Sequence, residues 1–193
     1  VGSIQYGTTG ALGSTAGDMR ATQNQIIHSV RVGWPSSLLP NTLYYFDVIS
    51  GTTVDNNNGA HYTVKTGVAV FSPGLDPRYG QTFDPNWVQA DNVYYEMWIE
   101  DHDSAGSTGK SQLRTGLSNV TYLDSSCDLG WWASLVDFRT SDFQNAFSYS
   151  NADHLVVNFY REDGTKTQLR MPLSVPTQSV SLINSSFPVI DDF

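Results

Sequence analysis

Apolar and polar residues alternate with period two along much of this chain, the pattern of half-buried β-strands. Between Gln25 and Val32, Ile26, His28, Val30 and Val32 alternate with Ile27, Ser29 and Arg31, and Trp34-Pro35 ends the run. From Asn41 to Ile49, Tyr44, Phe46 and Val48 alternate with Leu43, Tyr45 and Asp47. A turn at Asp55-Asn56-Asn57-Asn58-Gly59 separates this segment from another strand region, His61 to Phe71. Asn92 to Glu100 is the most strand-like run of all, followed by an exposed loop from Asp101 to Gly109. Strand patterns resume over Ser111–Leu123 and Trp131–Phe138. His154–Arg161 and Lys166–Leu173 flank Glu162-Asp163-Gly164-Thr165, an Asp-Gly hairpin. Ser179 to Val189 gives a final strand.

Other stretches read differently. Residues 1–24 are rich in Gly, Ser, Thr and Ala and predict an extended arm with at most one short strand. Residues 72–90 hold Pro73, Pro77 and Pro85 and predict the longest loop, a crossover between sheets. Thr140 to Asn151 is the one candidate helix, with Ser141 as its N-cap and Phe143 and Phe147 four apart on one face. The fold class expected is all-β: an antiparallel β-sandwich or jelly roll of about nine strands, with a single domain over residues 25–193 behind the arm.

Composition sharpens this picture. Sixteen of the 19 acidic residues are Asp, Lys occurs three times, and Ser, Thr, Asn and Gln supply 60 of 193 residues. Glu and Lys populate exposed helix positions while Asp prefers turns, so this balance opposes a helical protein. A net charge of -9, with one Arg and one Asp in the first 24 residues, opposes binding to nucleic acid through phosphate neutralisation. No run of about 18 apolar residues exists to span a membrane. The lone Cys127 excludes an internal disulfide and a cysteine-based zinc site. Asp124 and Asp128 flank it and would raise a thiol pKa, so it reads as inert. The chain starts at Val1 without Met, as a processed product or an excised domain would. Sequons at Asn119 and Asn184 permit an extracellular location.

One strand concentrates candidate chemistry. On Asn92–Glu100 the alternation puts Tyr94, Glu96, Trp98 and Glu100 on one face and Val93, Tyr95, Met97 and Ile99 on the other, the core face. Aromatic rings beside carboxylates suit sugars, whose C–H faces stack on rings while their hydroxyls bond carboxylates. Glycosidases need two carboxyls roughly 5–9.5 Å apart. Glu96 and Glu100, four strand residues apart, sit roughly 13 Å from one another. Catalysis by either therefore needs a partner from another strand, such as Asp137. Asp101 and Asp103 in the next loop are oxygen donors of the kind calcium takes, but Ala105 fills the third ligand place of an EF-hand template. His102 between them is a candidate pH-sensitive contact. The four His residues show no metal-ligand spacing, and neither a nucleophile elbow nor a phosphate-binding Gly-rich motif occurs. No cofactor or metal is expected.

Over its whole length the texture of the chain is similar to that of two groups: outer projections of virus particles and secreted carbohydrate-binding β-sandwiches. The similarity is one of composition and carries no motif. The leading expectation is a non-enzymatic domain on a virion surface, outside the cell, that self-associates or meets other capsid subunits and contacts a host receptor or glycan. The ligand surface expected is Tyr94, Glu96, Trp98, Glu100, Asp101 and Asp103. A carbohydrate-binding module is the second reading, and a glycan hydrolase using Glu96 or Glu100 the third.

Overall fold

The computed structural model describes residues 1–19, 25–33, 38–68, 74–83, 90, 93–118, 130–162, 164 and 166–175. The chain forms two compact units, Val1–Val70 and Phe71–Phe193. Among the described residues there are eleven strands, every ladder between them is antiparallel, and helical geometry is confined to two short 3-10 turns. The fold is thus all-β and antiparallel, with two strands more than expected. These pairings carry the sheet class of that expectation and not its jelly-roll form.

In the first unit, β1 (Gly2–Gly7), β2 (Ser14–Gly17), β3 (Leu43–Ser50), β4 (Thr53–Asp55) and β5 (Tyr62–Lys65) make one sheet in the order β2-β1-β3-β4, with β5 also paired to β3. Register places Ile4 opposite Val48, Tyr6 opposite Phe46 and Tyr44 opposite Val64. One face therefore gathers aromatic rings, and Phe46 stacks on Tyr62 at 5.5 Å. Of the described apolar side chains in this unit only Tyr44 is buried, while Val48, Val54 and Val64 stay exposed. Two buried carboxylates each meet an imidazole: Asp18 with His28 Nδ1 and Asp47 with His61 Nδ1, both at 2.7 Å.

Two expectations change here. Residues 1–24, read as an arm ahead of the domain, supply β1 and β2 to this sheet. Residues 25–33, read as a strand, form no ladder among the described residues: Val30 makes an isolated bridge with Asp18, and Ser29 O accepts Met19 N–H at 2.9 Å. Alternation alone gives a strand no ladder partner. His28 instead turns to Asp18 and lays its ring over Gly2, where a Cβ would come within 2.4 Å of it.

In the second unit, β7 (Val93–Glu100), β8 (Arg114–Ser118), β10 (His154–Tyr160) and β11 (Lys166–Pro172) form a four-stranded sheet in the order β11-β10-β7-β8. β6 (Pro77–Gln81) and β9 (Gly130–Ser134) form a two-stranded one. The core lies where these meet. Val93, Met97 and Ile99 of β7, Leu155, Val157 and Phe159 of β10 and Trp131 and Ala133 of β9 are all buried in one cluster with Leu135, Phe138 and Phe147. Trp131 meets Phe159 edge-on at 6.4 Å. The adjacent Trp132 points the other way and stays 41% exposed, as one ring per strand face requires.

β6 falls inside the stretch read as a loop. Pro77 stands at its first position, where a missing N–H removes no interior ladder bond. The expected helix at 140–151 is a tight turn. Thr140 N–H donates to Asn145 O (2.9 Å), and Thr140 Oγ1 both donates to Asp142 Oδ1 (2.5 Å) and accepts from Asn145 N–H (3.1 Å). Phe143 adopts φ +64°. Short polar side chains offer the backbone local bonds in place of helical ones, and here they prevail. Cys127, both sequons and the strand read at Ser179–Val189 lie outside the described residues.

Candidate functional site

β7 is a central strand of the four-stranded sheet, and its inward residues bury it. Val93, Met97 and Ile99 are at most 4% exposed, and their alternates are left facing outward. Pairing with β10 then decides who joins them: Tyr160 lies opposite Tyr94, Asn158 opposite Glu96, Val156 opposite Trp98 and His154 opposite Glu100. β11 adds Lys166, Gln168 and Arg170 in the next rank, and Thr115 of β8 stands beside Glu96. The four β7 residues singled out from the sequence do share one half-buried face.

Two carboxylates on that face have opposite surroundings. Glu96 accepts a hydroxyl bond at each oxygen, from Tyr94 (3.1 Å at Oε1) and from Tyr160 (2.9 Å at Oε2). The two phenol rings lie 5.6 Å apart. Burial, and after it the Glu96 charge, pushes the Tyr94 hydroxyl far above the usual phenol range, and Tyr160 shifts the same way. Glu100 is instead neutralised: Arg170 binds Oε2 at 2.9 Å and Lys110 stands 3.6 Å from Oε1. The Lys110 ammonium also lies 5.0 Å above the Trp98 ring. The Trp98 indole N–H is buried and meets no acceptor among the described residues. Asp137, the sequence's candidate second acid, pairs with Arg114 at 3.3 Å. Arg114 stands opposite Met97, so it belongs to the inward side of the sheet and not to the Glu96 side.

Asp101 and Asp103 leave this face and form a second group beyond the end of β7. Continuing the β7–β10 register by one residue sets Asp153 across from Asp101. Carboxylate oxygens of Asp101, Asp103 and Asp153 lie within 4.8 Å of one another, which makes this trio the place among the described residues where a cation could be held. Backbone donors hold the three like charges together. Asp153, fully buried, accepts His102 N–H (2.9 Å) and Ser150 N–H (2.8 Å). Asp101 accepts Ser104 N–H (2.7 Å). The bond from Ala105 N–H, and then that from Ser150 Oγ, lowers the Asp103 pKa below the usual carboxylate value. The His102 ring meets that of His154 edge-on at 5.0 Å. The turn closes on Ser148, whose carbonyl would lie 2.6 Å from a Cβ at Gly106, itself at φ +97°.

Tyr160, Arg170, Lys110 and Asp153 belong to these groups and were not singled out from the sequence. All but Lys110 depend on the β7–β10–β11 pairing. The Asp-Gly hairpin signal supplies the second half of that pairing, and nothing local supplies the first. Comparison with known protein families, with curated proteins and with solved structures gives no match. Among the described residues, no helix is long and apolar enough to cross a membrane.

Proposed function

We propose that the chain is a non-enzymatic attachment domain of an exterior surface, in the first instance a virion projection, and that it meets a receptor glycan on the outward face of β7 and β10. The observation that carries this reading is the ordered row of Tyr94, Glu96, Tyr160 and Trp98, in which a carboxylate is already fixed by two phenols beside half-buried ring surface. Binding sites gain from such preordering, because less side-chain entropy is lost when a ligand arrives. Catalysis is a poorer reading of the same row. A glycosidase sets a second carboxyl roughly 5–9.5 Å from the first. Here Glu100 is tied to two cations and Asp137 belongs to the inward side. The exterior location draws its support from composition: few charges, Asp placed in turns, and abundant Ser, Thr and Asn.

The test is a glycan array read with the intact chain and with Trp98→Phe, which keeps an apolar ring in place. Binding weakened by Trp98→Phe is the expected result; a blank array or an indifferent variant refutes the site. Sedimentation equilibrium tests the projection: a strict monomer at all concentrations speaks against it.

A further inference from the structure

We propose that Tyr94, Glu96 and Tyr160 form a subsite for an ammonium group, so that the ligand of this face is an amine-bearing sugar rather than a neutral or acidic one. This deepens the glycan reading above and rests on it.

The argument begins with charge. Glu96 and Glu100 project from the same face of the same strand. Glu100 has two cations, Arg170 and Lys110. Among the described residues no cation pairs with Glu96. Its two hydrogen bonds come from neutral phenols, which orient the carboxylate without neutralising it. Each carboxylate oxygen has two acceptor positions, so each retains capacity beyond the one phenol it already takes.

The rings add to this. Aromatic faces attract cations, and a carboxylate between two of them directs that attraction to one spot. The chain itself places a cation at the rim: Lys166 Nζ lies 5.5 Å from the centre of the Tyr160 ring, and Lys166 stands on β11, the neighbour of β10 opposite β7. Lys166 is exposed and touches the ring, while the Glu96 oxygens remain for another donor. An ammonium has three donors and no acceptor, matching two carboxylate oxygens and a ring face.

Acidic sugars fit badly. A carboxylate or sulfate ligand would meet Glu96 directly; Arg170, in the Trp98 rank of the same face, is engaged by Glu100, and Arg114 belongs to the inward side. A neutral sugar would leave the Glu96 charge uncompensated.

The experiment compares three probes by calorimetry near neutral pH: a glucosamine oligosaccharide, its N-acetylated form, and a glucose oligosaccharide of equal length. The amine form should bind about tenfold more tightly than the other two. Glu96→Gln, nearly isosteric and still able to accept a phenol bond, should abolish that preference. Glu162→Gln removes the same charge beyond the end of β10 and should keep it; this separates the subsite from general attraction to a chain of net charge -9. Equal affinity for acetylated and free amine, with both weakened by Trp98→Phe, overturns the ammonium subsite and leaves the glycan face standing. Loss of preference in both Glu variants overturns it too. Failure of all three oligosaccharides, including the case where a lysine-rich peptide binds in a Glu96-dependent way, overturns the glycan face with it.

Discussion

Asp153 is the side chain whose removal should cost most for its size. It is fully buried, and each oxygen receives one backbone N–H, from His102 at 2.9 Å and from Ser150 at 2.8 Å. Its main chain is engaged as well, accepting Leu173 N–H at 2.8 Å. One carboxylate thus ties the loop after β7 to the turn before β10. Hydrogen bonds to a charged group contribute about 1.5–3 kcal/mol each. Asp153→Ala removes two and leaves two donors unmet, so a loss of about 3–5 kcal/mol is expected. Asp153→Asn keeps one acceptor and turns an NH2 group toward the other donor, for about 1–3 kcal/mol. Urea denaturation should show a lowered midpoint with an unchanged slope. Hydrogen exchange should place the change first at the His102 and Ser150 amides. An Asp153→Ala protein within about 0.5 kcal/mol of the parent would refute the reasoning, for that is the range of surface substitutions that break no buried network.

Three further outcomes follow from the geometry. An alanine Cβ at Gly116 would lie 2.3 Å from the Tyr95 ring, which stands opposite it across β7 and β8, so Gly116→Ala should cost about 1–3 kcal/mol in thermal or urea unfolding. Shortening the ring as well (Tyr95→Leu) should recover part of that cost in a double-mutant cycle, and strict additivity would contradict the clash. Trp131→Ala should lose about 3–5 kcal/mol and Trp132→Ala under about 1, since one ring is buried and the other exposed, and equal losses would contradict the face assignment. In absorbance titration, Tyr94, Tyr149 and Tyr160 should ionise late: burial, then its bond to Asp76, pushes Tyr149 up to about 12, and the other two are raised by burial and Glu96. Because the folded values lie above the unfolded value of about 10, this stability is complete below pH 10 and is lost as pH rises toward and beyond 12. Ten tyrosines titrating together near pH 10 in the folded chain would contradict it.

Much of the second unit was legible because its strands are two-faced. β7 and β10 carry a buried alternate set, and the Asp-Gly turn fixes which residues of β10 and β11 oppose each other. The strand period likewise puts Trp131 and Trp132 on opposite faces of β9, one buried and one exposed. Where residues are short and polar, the pattern misleads. Thr140, Asp142 and Asn145 close a turn through side-chain bonds that no periodicity reveals. Residues 25–33 alternate well, yet His28 answers to Asp18, ten positions earlier, and not to a ladder. The candidate site divides along the same line. Tyr94, Glu96, Trp98 and Glu100 follow from strand period alone. Tyr160 and Arg170 reach them only through pairings over 60 residues and more, and one carboxylate is distinguished from the other by which of these distant partners it meets.

The scarcity of buried apolar side chains among the described residues of the first unit has a calorimetric meaning. Heat capacity rises on unfolding mainly because apolar surface becomes wet, and polar surface works against it. With Tyr44 as its one buried apolar side chain among the described residues, that sheet has little of this term to release. The second unit, with Trp131, Phe138, Phe147 and Phe159 enclosed, has most of it. Among the described residues, the larger share of the curvature of stability with temperature should therefore come from the second unit. On cooling, the hydrophobic contribution that weakens is mainly that of the second unit's core, while the described strands of the first unit, held by their ladders and two His–Asp pairs, should be less affected.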